Sequence, residues 1–287
     1  RGHVMKLNEA AAFLLDGGYA HLDETPNKKP KQKLAAREVQ APPISPAISA
    51  NNKILAPTPR DLSPLLQPHQ QFSARGISPA TCQQLRCGYL PAKNGPLSGR
   101  LVFQIAEAES NGARIIRSHF GRAIRPSQER NGKWRFYKNF QASHHLFNHD
   151  TLLLTATARA QTQACGFILL VEGAFDVAKL AEAQIANAVA CFGANLSRPQ
   201  LDLLAAASAE LGVNSVRVFF DRDAAGEKGA RAAVNLLQEA GIRADRFNWQ
   251  RQFSRGTRQA VTIPDTISDP ADFSVAQLAW FRSQGIL

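Results

Sequence analysis

The sequence predicts an α/β protein, a mostly parallel sheet flanked by helices and preceded by a smaller α+β unit. Three observations predict it. From residue 167 onward, short apolar runs suited to buried strands alternate with stretches of helical periodicity over short connections. Residues 100–140 instead carry longer strand patterns separated by turn residues. The charge divides along the same line. Of the net +11 of the 287 residues, +7 lies in residues 61–150, while residues 151–287 balance thirteen Lys/Arg against thirteen Asp/Glu.

Within residues 1–22, LNEAAAFLL reads as a short helix ending at Gly17-Gly18. Residues 23–69 turn to Pro, Lys, Gln, Ser and Asn, too little apolar area to offset chain entropy, so a flexible linker is expected there. Ordered structure is expected from about Gln70. In residues 70–150, Ser78 and Pro79 are the N-cap and first residue of a helix. RLVFQIAEA and ARIIRSHFGRAI are two strands turned by ESNG, and WRFYKNF is a third. In residues 151–263, FILLV, AVACF, VRVFF and a weaker ADRFNW are strands. The helices AFDVAKLAEAQ, RPQLDLLAAASAEL (capped by Ser197) and AAGEKGARAAVNLLQEAG lie between them. Residues 264–287 hold an acidic motif and a C-terminal helix.

Several classes are excluded. No apolar run reaches the eighteen or so residues of a membrane span, and the first residues lack the apolar core of a signal peptide. Cys82, Cys87, Cys165 and Cys191 show neither CxxC spacing nor a disulfide framework, which predicts a reducing cytoplasm, and the lack of a long apolar run predicts no membrane partner. From Arg114 to Lys138 there are eight basic residues and one acid, Glu129, interleaved with Phe120, Trp134, Phe136 and Tyr137. That mixture suits a phosphate-tracking surface with stacking groups, or equally a solvated face with its aromatics turned inward.

Two acidic clusters carry the chemistry. Glu172 directly follows the first parallel strand, and Asp221 directly follows the third, with Asp223 two residues on. Ligands gather at the carboxyl ends of strands in open parallel sheets. In extended backbone, Asp221 and Asp223 point to the same side. Converging carboxylates repel one another unless a cation sits among them, and magnesium takes one or two carboxylates with water and phosphate oxygens. Such an ion suits phosphoryl transfer, with Glu172 as acid–base or further ligand. The competing reading makes Asp223 only the N-cap of the next helix.

VEGAFDVAKL, AVACFGANLS and VFFDRDAAGEKGARAA, in that order, resemble the Toprim domain of bacterial DnaG-type DNA primases. Upstream, GISPATCQQLRCGYLPA, GRLVFQI, SHFGRAI, FYKNF and HHLF resemble successive segments of the primase catalytic core, and SDPADF resembles its last acidic segment. The resemblance covers about residues 72–273. It implies Glu172, Asp221 and Asp223 as catalytic and metal-holding residues, with Asp176 and Asp269 in the same acidic cluster around magnesium or manganese. It implies Arg100, Arg122, Arg135, Lys138, Asn139 and His149 along the groove for template and nucleotide. The implied reaction joins nucleoside triphosphates into a short RNA primer on single-stranded DNA, with a replicative helicase as a partner in trans. Zinc is implied only if a Cys/His ribbon lies upstream of Arg1, and HVMKLNEAAAFLL resembles the segment just downstream of such a ribbon. A compact primase of a mobile element fits by analogy.

The sequence also departs from that pattern. Phe136 and His149 stand where the family has lysines, and DPAD replaces DPD, with Ala271 at an acidic position and Asp272 displaced by one. The alternatives are a Toprim nuclease, using the same site for hydrolysis, and a nonenzymatic DNA-binding module resembling recombination mediators.

Overall fold

The fold is described by a computed structural model for residues 5–6, 60–91, 95–109, 111–130, 132–253 and 260–287. The expected helix over residues 7–15 lies outside the described residues. Just before it, Met5–Lys6 is a short strand, β1, running parallel to Val261–Thr262. Packed structure reaches back beyond the expected start at Gln70. Leu62 is buried, Ser63–Leu65 forms a 3-10 turn, and Gln67 bridges Tyr89.

Two short helices follow, α1 (Gln70–Ser73) and α2 (Pro79–Gln84). At α2 the Ser78 hydroxyl accepts from the Thr81 amide at 3.2 Å, and Pro79 opens the helix as expected. Strands β2 (Cys87–Tyr89), β3 (Leu101–Ala108), β4 (Arg114–Arg122) and β5 (Trp134–Phe136) form an antiparallel sheet in that order. Its central hairpin, β3–β4, has a bulge at Ile105/Ala106. A one-turn helix, α3 (Pro126–Glu129), lies between β4 and β5. Helices α4 (His149–Leu154) and α5 (Ala156–Cys165) then lead into the second unit.

There β6 (Ile168–Val171), β7 (Ala188–Ala190), β8 (Ser215–Val218) and β9 (Arg243–Arg246) make a parallel sheet ordered β7-β6-β8-β9. Every residue of β6 is fully buried, as a continuous apolar run in a parallel sheet requires. Helices α6 (Ala174–Glu182), α7 (Arg198–Leu211) and α8 (Ala224–Glu239) connect the strands. All four sequence-predicted strands are found in this sheet, and Ser197 caps α7 as expected. A third small sheet is an addition to it. Strands β10 (Arg251–Phe253) and β11 (Ala260–Thr262) pair antiparallel beside β1, and α9 (Val275–Ser283) closes the chain.

The two larger units share one apolar cluster. Phe72, Phe103, Phe120 and Phe147 from the first pack with Leu169, Val171 and Phe175 from the second. The Phe103 and Phe175 rings meet edge to face at 5.2 Å. This contact fixes the antiparallel sheet against the carboxyl end of β6, and a cavity is left between the two units.

Candidate active site at the carboxyl ends of the parallel strands

That cavity, of about 440 Å³, is bordered by both units. Its acidic side is Glu172, Asp176, Asp221, Asp269 and Asp272, and it also holds Arg75, Arg122 and Lys133. Glu172 stands one residue beyond β6 and accepts the Asp221 amide at 3.0 Å, tying the ends of β6 and β8 together. Asp221 Oδ1 is buried without a hydrogen-bond partner. Asp176, in the first turn of α6, accepts the Gly173 amide at 2.8 Å. Asp269 caps the 3-10 turn Pro270–Asp272 and accepts the Asp272 amide at 2.9 Å.

Their electrostatics are mutually unfavourable. Burial, then the charges of Glu172, Asp269 and Asp223, push Asp221 up to about 7. Burial also raises Glu172, aided by Asp223 and Asp269 and opposed by the Asp221 amide. Asp176 lies well above the carboxylate range through burial and then Asp221, and Asp269 is raised by burial and by Asp272. A purely structural role gives no reason to gather four such acids in a cavity.

Arg222 brings Asp269 to this site. Its amide donates to Ser268 O at 2.6 Å, its Nη1 to Pro264 O at 3.0 Å, and its Nη2 pairs with Asp265 at 2.7 Å. The residue between the two aspartates thus clamps the 264–268 segment. Two glycines let α8 approach. A Cβ on Gly226 would lie 2.2 Å from Asp221 O, and one on Gly229 would lie 1.9 Å from Ala194 O. Their three-residue spacing on a helix was the available signal for this close packing.

Aromatic rings hold the cations. Arg122 lies over Trp134 at 5.3 Å and over Phe175 at 5.4 Å, and Arg75 lies over Phe175 at 4.7 Å. Lys179 Nζ, buried on α6, donates to the Arg75 carbonyl at 2.6 Å and fixes that residue's backbone. Nothing in the local sequence marks Arg75. Only the fold brings it here.

Several sequence-predicted residues stand elsewhere. Asp223 is exposed, its Oδ1 accepts the Gly226 amide at 2.7 Å, and it faces a neighbouring cavity (about 680 Å³) with Glu227 and Arg246. Strand β8 ends at Val218, so the alternation expected to align Asp221 with Asp223 does not extend to them. Asp223 reaches the site only through its charge on Glu172 and Asp221. Arg100 is 2% exposed and donates to Gln128 O and Gly132 O at 2.8 and 3.2 Å, so it supports the β4–β5 connection and does not line the cavity. His149 is buried with neither ring nitrogen partnered, and burial lowers its affinity for a proton. Arg135 alternates with Trp134 and Phe136, which line the cavity, while Lys138 and Asn139 are exposed beyond β5. Phe136, where a lysine was expected, stacks on Phe120 at 5.2 Å and meets Phe192 at 5.6 Å. Asp272 does line the cavity, but its Oδ2 turns back to accept from Ser268 N and Oγ at 2.9 and 3.0 Å.

The donor set fits a divalent cation. Among the described residues no three acidic, His or Cys side chains already converge on one point. Magnesium needs only one or two carboxylates, with water and phosphate filling its sphere. The orphaned Asp221 oxygen supplies one such ligand, with Glu172 beside it.

A parallel β7-β6-β8-β9 sheet with acids at the ends of β6 and β8 defines the class. Residues 166–248 match the family model for the Toprim domain. The DNA primase of Aquifex aeolicus (strain VF5) is 38% identical over 77 residues, covering 27% of this chain and 14% of that protein's length. The chain has the fold of the crystallised zinc-binding and RNA polymerase domains of the Aquifex aeolicus primase. That match has a TM-score of 0.56 at 22% identity and covers 76% of this chain and 54% of that one. The RNA polymerase domain of Mycobacterium tuberculosis primase DnaG superposes with a TM-score of 0.53 at 18% identity, covering 75% of this chain and 74% of that one. The same domain in complex with double-stranded DNA gives a TM-score of 0.54, also at 18% identity, with the same coverage. The chain is thus similar to Toprim-domain DNA primases in sequence at its Toprim segment and in fold across both units. No helix among the described residues is long and apolar enough to cross a membrane.

Proposed function

We propose that the cavity is the nucleotidyl-transfer site of a primase-type enzyme that builds short RNA primers on single-stranded DNA. The observation that carries this reading is the Asp221 Oδ1 atom. It is a buried, unpartnered carboxylate oxygen among four further acids, in a cavity shared with Arg75, Arg122 and Lys133. Such a site suits a polyphosphate arriving with its cation. Asp221 would hold magnesium or manganese with Glu172 beside it, and Asp176, Asp269 and Asp272 complete the acidic side. When bound, that ion neutralises charge on the transferring phosphoryl group and orients its oxygens.

The chain's own residues do the rest. Arg75, Arg122 and Lys133 bind and orient the triphosphate of the incoming nucleotide. Glu172, raised above the usual carboxylate range, is suited to take the proton of the attacking 3′-hydroxyl. That oxygen bonds to the α-phosphorus as the bond to pyrophosphate breaks. Asp223 contributes its charge and the cap of α8. The crystallised Mycobacterium tuberculosis complex with double-stranded DNA supports a surface able to hold a primer–template duplex.

The test is oligoribonucleotide synthesis on single-stranded DNA with labelled nucleoside triphosphates and magnesium or manganese. Products should appear with the wild type and fall at least about a hundredfold in Asp221→Asn. Strand cleavage without nucleotides would assign the site to hydrolysis instead. DNA binding without synthesis, indifferent to loss of Glu172 and Asp221, would assign a nonenzymatic module.

A further inference from the structure

Strand β10 carries the one aromatic among the exposed large apolar side chains of the described residues, Phe253, which is 53% exposed. One exposed apolar side chain needs no explanation by itself; the surroundings of Phe253 give it a role. Alternation along β10 turns Gln252 inward, where its amide donates to Asn248 O at 2.8 Å, and leaves Arg251 and Phe253 outward on one face. The Arg251 guanidinium lies 5.1 Å from the Phe253 ring centroid. No acid occurs in sequence between Asp245 and Asp265, and among the described residues Arg251 forms no ion pair.

The platform is anchored to the acidic site at both ends. On the entering side, Trp249 Nε1 donates to Phe220 O at 2.9 Å, one residue before Asp221. Asn248 Oδ1 then accepts the amides of Gln250 and Arg251 at 2.9 and 3.1 Å, turning the chain into β10. Gln250 lines the same neighbouring cavity as Asp223. On the leaving side, β11 runs into Pro264 and Asp265, which Arg222 clamps.

We infer that the outward face of β10, Arg251 with Phe253, is a stacking platform for single-stranded nucleic acid leading to or from the acidic cavity. An unpaired base has a free face to lay on the phenyl ring, and the guanidinium beside it meets the adjoining phosphate. This is a different surface from the basic stretch of residues 114–138, and it does not depend on whether the cavity makes primers or cuts strands. An exposed ring alone would fit an apolar partner. The arginine seated on it and the lack of any acid in residues 246–264 favour a polyanion with aromatic faces.

The experiment measures equilibrium binding of a fluorescent oligothymidylate, with a duplex of equal length as reference, by the full chain in EDTA without nucleotides. Activity of the cavity then plays no part, so failure of primer synthesis leaves this result interpretable. Phe253→Ala should weaken oligothymidylate binding about tenfold while changing duplex binding little, because paired bases offer no free face. Arg251→Gln should reduce the slope of log affinity against log salt by about 0.7. Phe253→Trp should restore affinity and add indole fluorescence that oligothymidylate quenches relative to the wild type. Unchanged affinity in Phe253→Ala, or an equal loss on duplex, overturns the proposal.

Discussion

The charge on Asp221 destabilises the metal-free fold, and its removal should stabilise the protein. In the unfolded chain this carboxyl titrates near 3.8, and in the folded protein near 7. Between those values the folded state holds a proton that the unfolded state has lost. Stability from this group is therefore full below pH 3.8 and falls as pH rises toward 7. Three pH units correspond to about 4 kcal/mol. Asp221 is only half-buried, so screening reduces that to about 1–2 kcal/mol. In EDTA at pH 8, Asp221→Asn should melt about 2–8 °C above the wild type. The difference should vanish near pH 4. Added magnesium should stabilise the wild type by mass action and leave the variant nearly unmoved. Calorimetry across pH, with and without metal, provides the assay. A variant that melts lower at pH 8, or gains as much from magnesium as the wild type, would refute the reasoning.

Gly229→Ala forces a methyl to within 1.9 Å of the Ala194 carbonyl. It should cost about 1–3 kcal/mol, seen as a lower denaturant midpoint at unchanged slope. Arg222→Ala frees the segment that carries Asp269 and should speed amide hydrogen exchange across residues 264–269, with synthesis lost in parallel. Arg100→Ala removes two hydrogen bonds from buried surroundings. It should lower stability by about 1–3 kcal/mol without altering nucleotide affinity once folded, as equilibrium binding below the transition will reveal. Arg122→Gln should do the reverse, weakening triphosphate binding about tenfold or more with little change in melting temperature.

Legibility in the sequence tracks how local each interaction is. Ser78 and Ser197 cap helices within three residues of themselves, and the buried run of β6 declares its own environment, so those elements are legible locally. Glu172 and Asp221 were legible because each lies just past a recognisable strand. Asp223 lies outside the site because the strand period stops at Val218, and beyond it the chain is already turning into α8. Arg100 and His149 carry polar side chains that suggest ligands, yet long-range packing buries both. Arg75 is the opposite case. It stands about a hundred residues from Glu172 in sequence, and only the packing of Phe72 and Phe175 brings it to the cavity. The small β1-β11-β10 sheet was hidden for a similar reason, since its strands are two or three residues long and pair the two ends of the chain.

The most direct test of the acidic cavity as a phosphoryl-transfer site bypasses initiation. An RNA primer annealed to a DNA template is offered with the single complementary nucleoside triphosphate and magnesium. Wild type should extend it by one nucleotide, and Glu172→Gln and Asp221→Asn should each slow that step by about a hundredfold or more while still binding the duplex. Extension by Asp221→Asn at the wild-type rate would contradict the account, as would a wild type that binds the duplex and triphosphate yet adds nothing.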